Sequence, residues 1–265
     1  MRPQTQRGQG QWALDQREPR NVAGQPVPDR DGPVLLAVAH GSRDPAAQQC
    51  VHALTKRVRW LARGTRVRAA FVSHARPLLA DALVQAVADA GTDGVVLVPL
   101  LLSTGYHLSV DIGNAALQAG VAAAGPLGPS PGLVPALADR LAETGAPPGT
   151  PVVLAAAGSS DPRAATDTAQ QAALLAAHLR APVVPAFATA AKPSVTEAVA
   201  ALAARTGHPV AVASYLLAPG LFQDRLHETG AAWVSAPLGD HPAVAAVVAG
   251  RFHGAGSLLT GDTAA

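Results

Sequence analysis

A block of about a dozen residues occurs twice in this 265-residue chain. Pro33-Val34-Leu35-Leu36-Ala37-Val38-Ala39-His40-Gly41-Ser42-Arg43-Asp44-Pro45 returns as Pro151-Val152-Val153-Leu154-Ala155-Ala156-Ala157-Gly158-Ser159-Ser160-Asp161-Pro162, with Gly41 matching Gly158 at an offset of 117. Three more landmarks follow in the same order. Ala70-Phe71 and Pro77 match Ala186-Phe187 and Pro193 at 116, Leu101–Gly105 matches Leu216–Gly220 at 115, and Pro126-Leu127-Gly128 matches Pro237-Leu238-Gly239 at 111. Ala- and Leu-rich sequence matches itself easily, but those two residues would not reproduce Gly-Ser-x-Asp-Pro and Pro-Leu-Gly at corresponding places. The chain therefore reads as a duplicated unit, with a Pro/Gly-rich boundary at Gly145–Pro151.

Within each copy, apolar runs of strand length alternate with stretches of helical spacing. Val34–Ala39 is apolar on both faces, as a buried parallel strand is. Asp44-Pro45 then supplies an N-cap and a first-turn proline, and Val51, Leu54, Val58 and Leu61 follow at helical spacing until Gly64. Further strands are expected at Val67–Ser73, Val95–Leu102 and Val121–Ala124. Helices are expected at Pro77–Ala90, around Ser109–Ala119 and at Leu133–Glu143. This order predicts an α/β fold of two similar lobes, each a parallel sheet flanked by helices, with a cleft between them. The expected division is a disordered leader at 1–32, an N-terminal domain at 33–148, a C-terminal domain at 151–253 and a flexible tail at 254–265.

Composition closes off several functions. The single cysteine, Cys50, cannot supply an internal disulfide, a thiolate zinc site or an iron–sulfur cluster, which fits a reducing compartment. A formal net charge of +2 provides too little field for nucleic-acid binding. No apolar run reaches the roughly 18 residues of a membrane span, and the polar start does not resemble a signal peptide. A cytoplasmic protein is expected, with no nucleic-acid or membrane partner, and so is a monomer. GxGxxG and GxxxxGK[ST] are absent, so nucleotide sites have no motif support.

Ligands of open parallel sheets bind beyond the carboxyl ends of the strands. In the first copy those ends carry His40 to Asp44, Ser73-His74-Ala75-Arg76, and Ser103-Thr104-Gly105-Tyr106-His107. The second copy provides an internal control. Glycines, prolines and the Asp-Pro cap persist in it, whereas His40, His74 and His107 become Ala157, Ala190 and Phe222. Residues that the fold requires belong in both copies, while residues that the chemistry requires need persist in only one. His40 and His107 are thereby singled out for function, and His74 is left open. Neutral imidazoles bind borderline divalent metals and accept protons near pH 7. No HExxH or carboxylate-rich motif accompanies them, so a metal in transit fits better than a caged one.

The segments Val38–Pro45, Val98–His107, Asp111-Ile112 and Tyr215–Gly220 resemble the sirohydrochlorin chelatase family, the small class II chelatases that insert iron or cobalt into a tetrapyrrole without ATP. The resemblance covers about Pro33 to Phe252. It implies that His40 and His107 face each other in the cleft, bind the incoming metal and help remove pyrrole protons. It implies a carboxylate-rich tetrapyrrole partner, sirohydrochlorin, contacted by Ser42, Arg43, Ser73, Arg76, Ser103, Thr104, Gly105 and Tyr106, and by Lys192 at the rim. No permanent cofactor is implied; Fe2+ or Co2+ is a substrate, with Fe2+, giving sirohaem, the favoured reading. A cobaltochelatase of cobalamin synthesis and a non-catalytic metal or tetrapyrrole carrier are the alternatives. Relatives often carry an acidic residue where this chain has Ser73.

Overall fold

The computed structural model describes residues 32–260, apart from the side chains of residues 106–109 and 257–260. The expected leader lies outside the described residues, save for Gly32. Strands β1 (Val34–Ala39), β2 (Arg66–Phe71), β3 (Val95–Pro99) and β4 (Ala122–Ala123) form one parallel sheet in the order β2-β1-β3-β4. Strands β5 (Val152–Ala156), β6 (Val183–Phe187), β7 (Ala211–Tyr215) and β8 (Trp233–Val234) repeat that order as β6-β5-β7-β8. The helices are α1 (Pro45–Leu61), α2 (Leu79–Ala90), α3 (Tyr106–Ala119), α4 (Val134–Ala142), α5 (Pro162–Leu179), α6 (Val195–Thr206), α7 (Leu221–Leu226) and α8 (Pro242–Thr260). Two parallel sheets flanked by helices are thus the architecture, as the duplicated pattern predicts.

The period-two alternation of a strand explains how each sheet is covered. Leu35, Ala37 and Ala39 of β1 face a core that also holds Val152, Leu154 and Tyr215 of the second sheet, so one apolar cluster runs through both lobes. Val34, Leu36 and Val38 face the other way, under Leu83 and Ala86 of α2 and Ile112 of α3. Val153 and Ala155 lie likewise under Val199 and Leu202 of α6.

The last helix of each repeat crosses to the other lobe. Helix α4 packs on α5 and β7, and α8 packs on α1, β3 and β4. Equivalent arginines fasten both crossings: Arg140 of α4 donates to the Leu238 carbonyl at 3.4 Å, and Arg251 of α8 donates to the Leu127 carbonyl at 3.2 Å. Those carbonyls belong to the two Pro-Leu-Gly turns, so this landmark is a docking point for the crossing helix.

Boundaries shift where packing overrides local pattern. β3 stops at Pro99 rather than Leu102: the Leu100 amide still donates to the Val38 carbonyl at 2.8 Å, but the Leu101 carbonyl accepts from the Leu127 amide at 2.7 Å and the Leu102 carbonyl from the Tyr215 hydroxyl of the second lobe at 2.5 Å. α3 begins at Tyr106, three residues ahead of the expected start. α8 runs through 254–260, where the sequence predicts a tail, and Ala255 is buried in the shared core despite the glycines on either side.

Candidate active site at the strand ends of the first lobe

In the order β2-β1-β3-β4 the chain reverses direction across the sheet between β1 and β3, which opens a crevice beyond their carboxyl ends. His40 directly follows β1 and is exposed. His107 lies in the first turn of α3, reached from β3 through the loop 100–105; its side chain is outside the described residues. The two histidines singled out by the sequence therefore stand on the two chain segments that border the switch point.

The structure adds His74. Its ring stands edge-on to that of His40, with centroids 6.2 Å apart and planes at 74°. Two rings that share a tetrahedral ion through bonds of roughly 2.0–2.1 Å have centroids about 5 Å apart, so the pair would have to close by about 1 Å to hold one ion between them. His74 has φ +61°, and its counterpart Ala190 has φ +57°. The unusual backbone belongs to the fold of both lobes, whereas the imidazole is present only in the first.

A tight crossing of two loops holds His40 and His74 together. The Ser73 amide donates to the His40 carbonyl at 2.9 Å, and the Ser73 hydroxyl donates to the same oxygen at 3.3 Å. Gly41, at φ +95°, passes so close that a Cβ there would sit 1.7 Å from the Ser73 carbonyl oxygen. Beyond it, the Asp44 carboxylate accepts from the Ala46 amide at 2.8 Å and caps α1, while the Ser42 hydroxyl accepts from the Asp44 amide at 3.0 Å. Ser159 and Asp161 make the same bonds in the second lobe.

The remaining candidates divide by what they touch. The hydroxyls of Ser42 and Ser73 are engaged in the loop bonds just described. Thr104 is latched across the lobes, its amide and hydroxyl donating to one Asp167 oxygen at 2.7 and 2.6 Å. Ser103 is half-buried on the same loop, and Gly105 is the residue before α3. Tyr106, like His107, begins α3 with its side chain outside the described residues. Arg43 is exposed and makes no ion pair among the described residues. Arg76 reaches Asp81 at 3.4 Å with both side chains exposed, a weak tie that a carboxylate ligand can replace. Lys192 bonds Glu197 at 2.7 Å, and with Ser194 it holds the Glu197 carboxyl down at about 2.

Asp167 is not legible in the sequence. It occupies the position matching Cys50, and each reaches across to the other lobe: the Cys50 thiol donates to the Leu217 carbonyl at 3.5 Å. Burial, with the Asp240 carboxylate adding to it, pushes that thiol from 9.0 up to about 11. The folded protein holds this proton more tightly than the unfolded chain does. The associated stability is present below pH 9 and is lost as pH rises toward 11. Two units also cut the thiolate fraction roughly a hundredfold at pH 8. Iodoacetamide should therefore label native Cys50 at least ~30-fold more slowly than the denatured chain, as mass spectrometry of timed aliquots will show.

Among the described residues, no three His, Cys, Asp or Glu side chains gather into a metal cage. No helix there is long and apolar enough to cross a membrane. Two surface depressions, of about 590 and 500 Å³, lie against α6 and α5, away from the histidines.

The model of the CbiX family matches residues 34–144 and again residues 151–255. The chain belongs to the CbiX family. SirB from Bacillus subtilis with Fe3+ superposes at a TM-score of 0.76 and 25% identity, covering 87% of this chain and 98% of that one. The sirohydrochlorin chelatase SirB from Bacillus subtilis subspecies spizizenii, in complex with cobalt, superposes at 0.72 and 22%, with the same coverage. DR2241 from Deinococcus radiodurans, a multi-domain protein with structural similarity to chelatases, shares the fold at 0.61 and 20%, over 83% of this chain and 54% of that one. No curated protein matches significantly. The two matches of the CbiX model coincide with the two sequence repeats, and the chain has the fold of the SirB structures.

Proposed function

We propose that this CbiX-family chain is a sirohydrochlorin chelatase that inserts a divalent metal, Fe2+ in the favoured case, into the tetrapyrrole without ATP. The observation that carries the reading is the one-sided histidine set: two lobes share one backbone plan, yet imidazoles stand at the strand ends of the first alone. Membership of the CbiX family and the likeness to SirB support it.

Insertion replaces two pyrrole N–H protons by one M2+, so the site has to deliver the metal and accept both protons. A neutral imidazole offers one nitrogen lone pair, and that pair can hold a metal or take up a proton. In this reading His40 and His107 hold the ion until the macrocycle displaces them. As the pyrrole nitrogens take the metal, the freed imidazole nitrogens are bases beside the departing protons. His74 extends the set at the His40 end. The ion is a cargo, and a site with few protein ligands can release it. Arg43, exposed beside His40, and Arg76, with its replaceable partner, suit the substrate carboxylates.

The deciding experiment is anaerobic incubation of the purified protein with sirohydrochlorin and Fe2+ or Co2+, followed by absorbance. Insertion above the spontaneous rate is expected, and the metal with the larger kcat/KM identifies the physiological ion. A tetrapyrrole that binds but is metallated only at the spontaneous rate would show a carrier instead.

A further inference from the structure

The second lobe has no histidines at its strand ends, yet its β7–α7 corner borders the same crevice. Two hydrogen bonds and one close approach fix its place. The Tyr215 hydroxyl donates to the Leu102 carbonyl, on the loop that leads to His107. The Leu217 carbonyl accepts from Cys50 in α1, and a Cβ on Gly220 would lie 4.0 Å from the Asp44 carboxylate, on the loop that follows His40. The corner thus sits between the two histidine-bearing segments.

The next two residues are apolar and exposed: Leu221 is 63% and Phe222 38% accessible. They occupy the places that Tyr106 and His107 hold in the first lobe. Single exposed apolar residues are ordinary, and Val84 and Leu117 on the outer helices are others. What distinguishes this pair is the anchor beneath it. Gln223, the following residue, is buried, accepts from the Ser214 hydroxyl at 2.5 Å and donates to the Ser235 carbonyl at 2.9 Å. The Ser235 hydroxyl in turn accepts from the Ser214 amide at 2.9 Å. The first-lobe positions matching Ser214, Gln223 and Ser235 are Pro99, Leu108 and Ala124, which carry no such polar groups. A satisfied buried network of this kind fixes a single arrangement, and here it pins α7 with two apolar side chains held out into solvent.

We infer that Leu221 and Phe222 form an apolar ledge that supports the face of the tetrapyrrole turned away from the histidines, and so determine macrocycle binding. The inference rests on the proposed chelatase reading. A flat macrocycle with a carboxylate rim needs an apolar surface for its face and cations for its edge. The ledge supplies the first, and it leaves the opposite face open to the imidazoles. The lobes have thereby divided the work: one handles metal and protons, the other holds the ring.

The test compares the Leu221→Ser/Phe222→Ser double variant with wild type and with Val84→Ser/Leu117→Ser. Metal-free sirohydrochlorin is titrated anaerobically by fluorescence, and Co2+ alone by calorimetry. We expect the tetrapyrrole Kd of the ledge variant to rise at least ~tenfold, because the apolar surface that the ring covers is gone. Co2+ affinity should stay within about twofold, and the outer-helix control should match wild type. Leu221→Ser alone, at a largely exposed position, should show the same direction without any challenge to folding. Unchanged tetrapyrrole affinity in the double variant, or an equal loss in the control, overturns the ledge while leaving the chelatase reading in place. A wild-type protein that neither binds sirohydrochlorin nor metallates it overturns both.

Discussion

His40→Ala is expected to lower the rate of metal insertion at least ~100-fold while leaving the melting temperature within about 2 °C of wild type. The size follows from the proposed role of His40 as both metal ligand and proton acceptor, each a contribution of roughly two or more orders of magnitude. The retained stability follows from position. The His40 ring is exposed, and the bonds that tie its segment to the neighbouring loop run through its carbonyl, which an alanine keeps. His107→Ala should behave the same way if the two residues act on one ion. The measurement is the anaerobic insertion assay beside a thermal melt and Co2+ calorimetry. A His40→Ala protein that turns over within twofold of wild type would remove the basis of the assignment.

That an exposed histidine is a candidate for function is readable from the duplication itself. The repeat separates residues the fold needs from those only one lobe has, and Gly41, Asp44 and Ser42 make the same turn and cap contacts as Gly158, Asp161 and Ser159. Strand and helix order is readable for the same reason, because apolar period and capping residues act locally. What the sequence hides is what the third dimension alone brings together. Nothing in the spacing of residues 40 and 74 places their rings 6.2 Å apart; the crossing of the β1 and β2 loops does. Asp167 stands in a helix that reads as solvent-facing until the second lobe closes on Thr104. The exchange of α4 and α8 is invisible because both helices carry an ordinary apolar stripe, and such a stripe does not specify which sheet it covers. The ledge is equally silent, because an Ala-Pro-Gly-Leu-Phe corner has no reactive group.

Replacing Gly41 or Gly158 by alanine should cost about 3 kcal/mol or more in either case, which for a chain of this size lowers the melting temperature by roughly 6–12 °C. Both glycines have φ +95°, where a Cβ is strained whatever the space. Both are also crowded by backbone and not by a side chain that could turn away. The new Cβ would lie 1.7 Å from the Ser73 carbonyl oxygen in the first lobe and 1.9 Å from the Thr189 carbonyl oxygen in the second. Relief requires the crossing loop itself to move. The two variants should then part company in activity. In Gly41→Ala the loop that moves carries His74, and the segment it crosses carries His40, so turnover per folded molecule should fall at least ~tenfold. In Gly158→Ala the displaced loop carries Ala190 and the crossed segment Ala157, neither of which handles metal or protons, so turnover below the melting transition should stay within about twofold. Melting curves and insertion rates at 20 °C would separate the two effects. Equal loss of turnover in both variants would show that the second lobe's strand ends take part in the chemistry, and the one-sided assignment would fall.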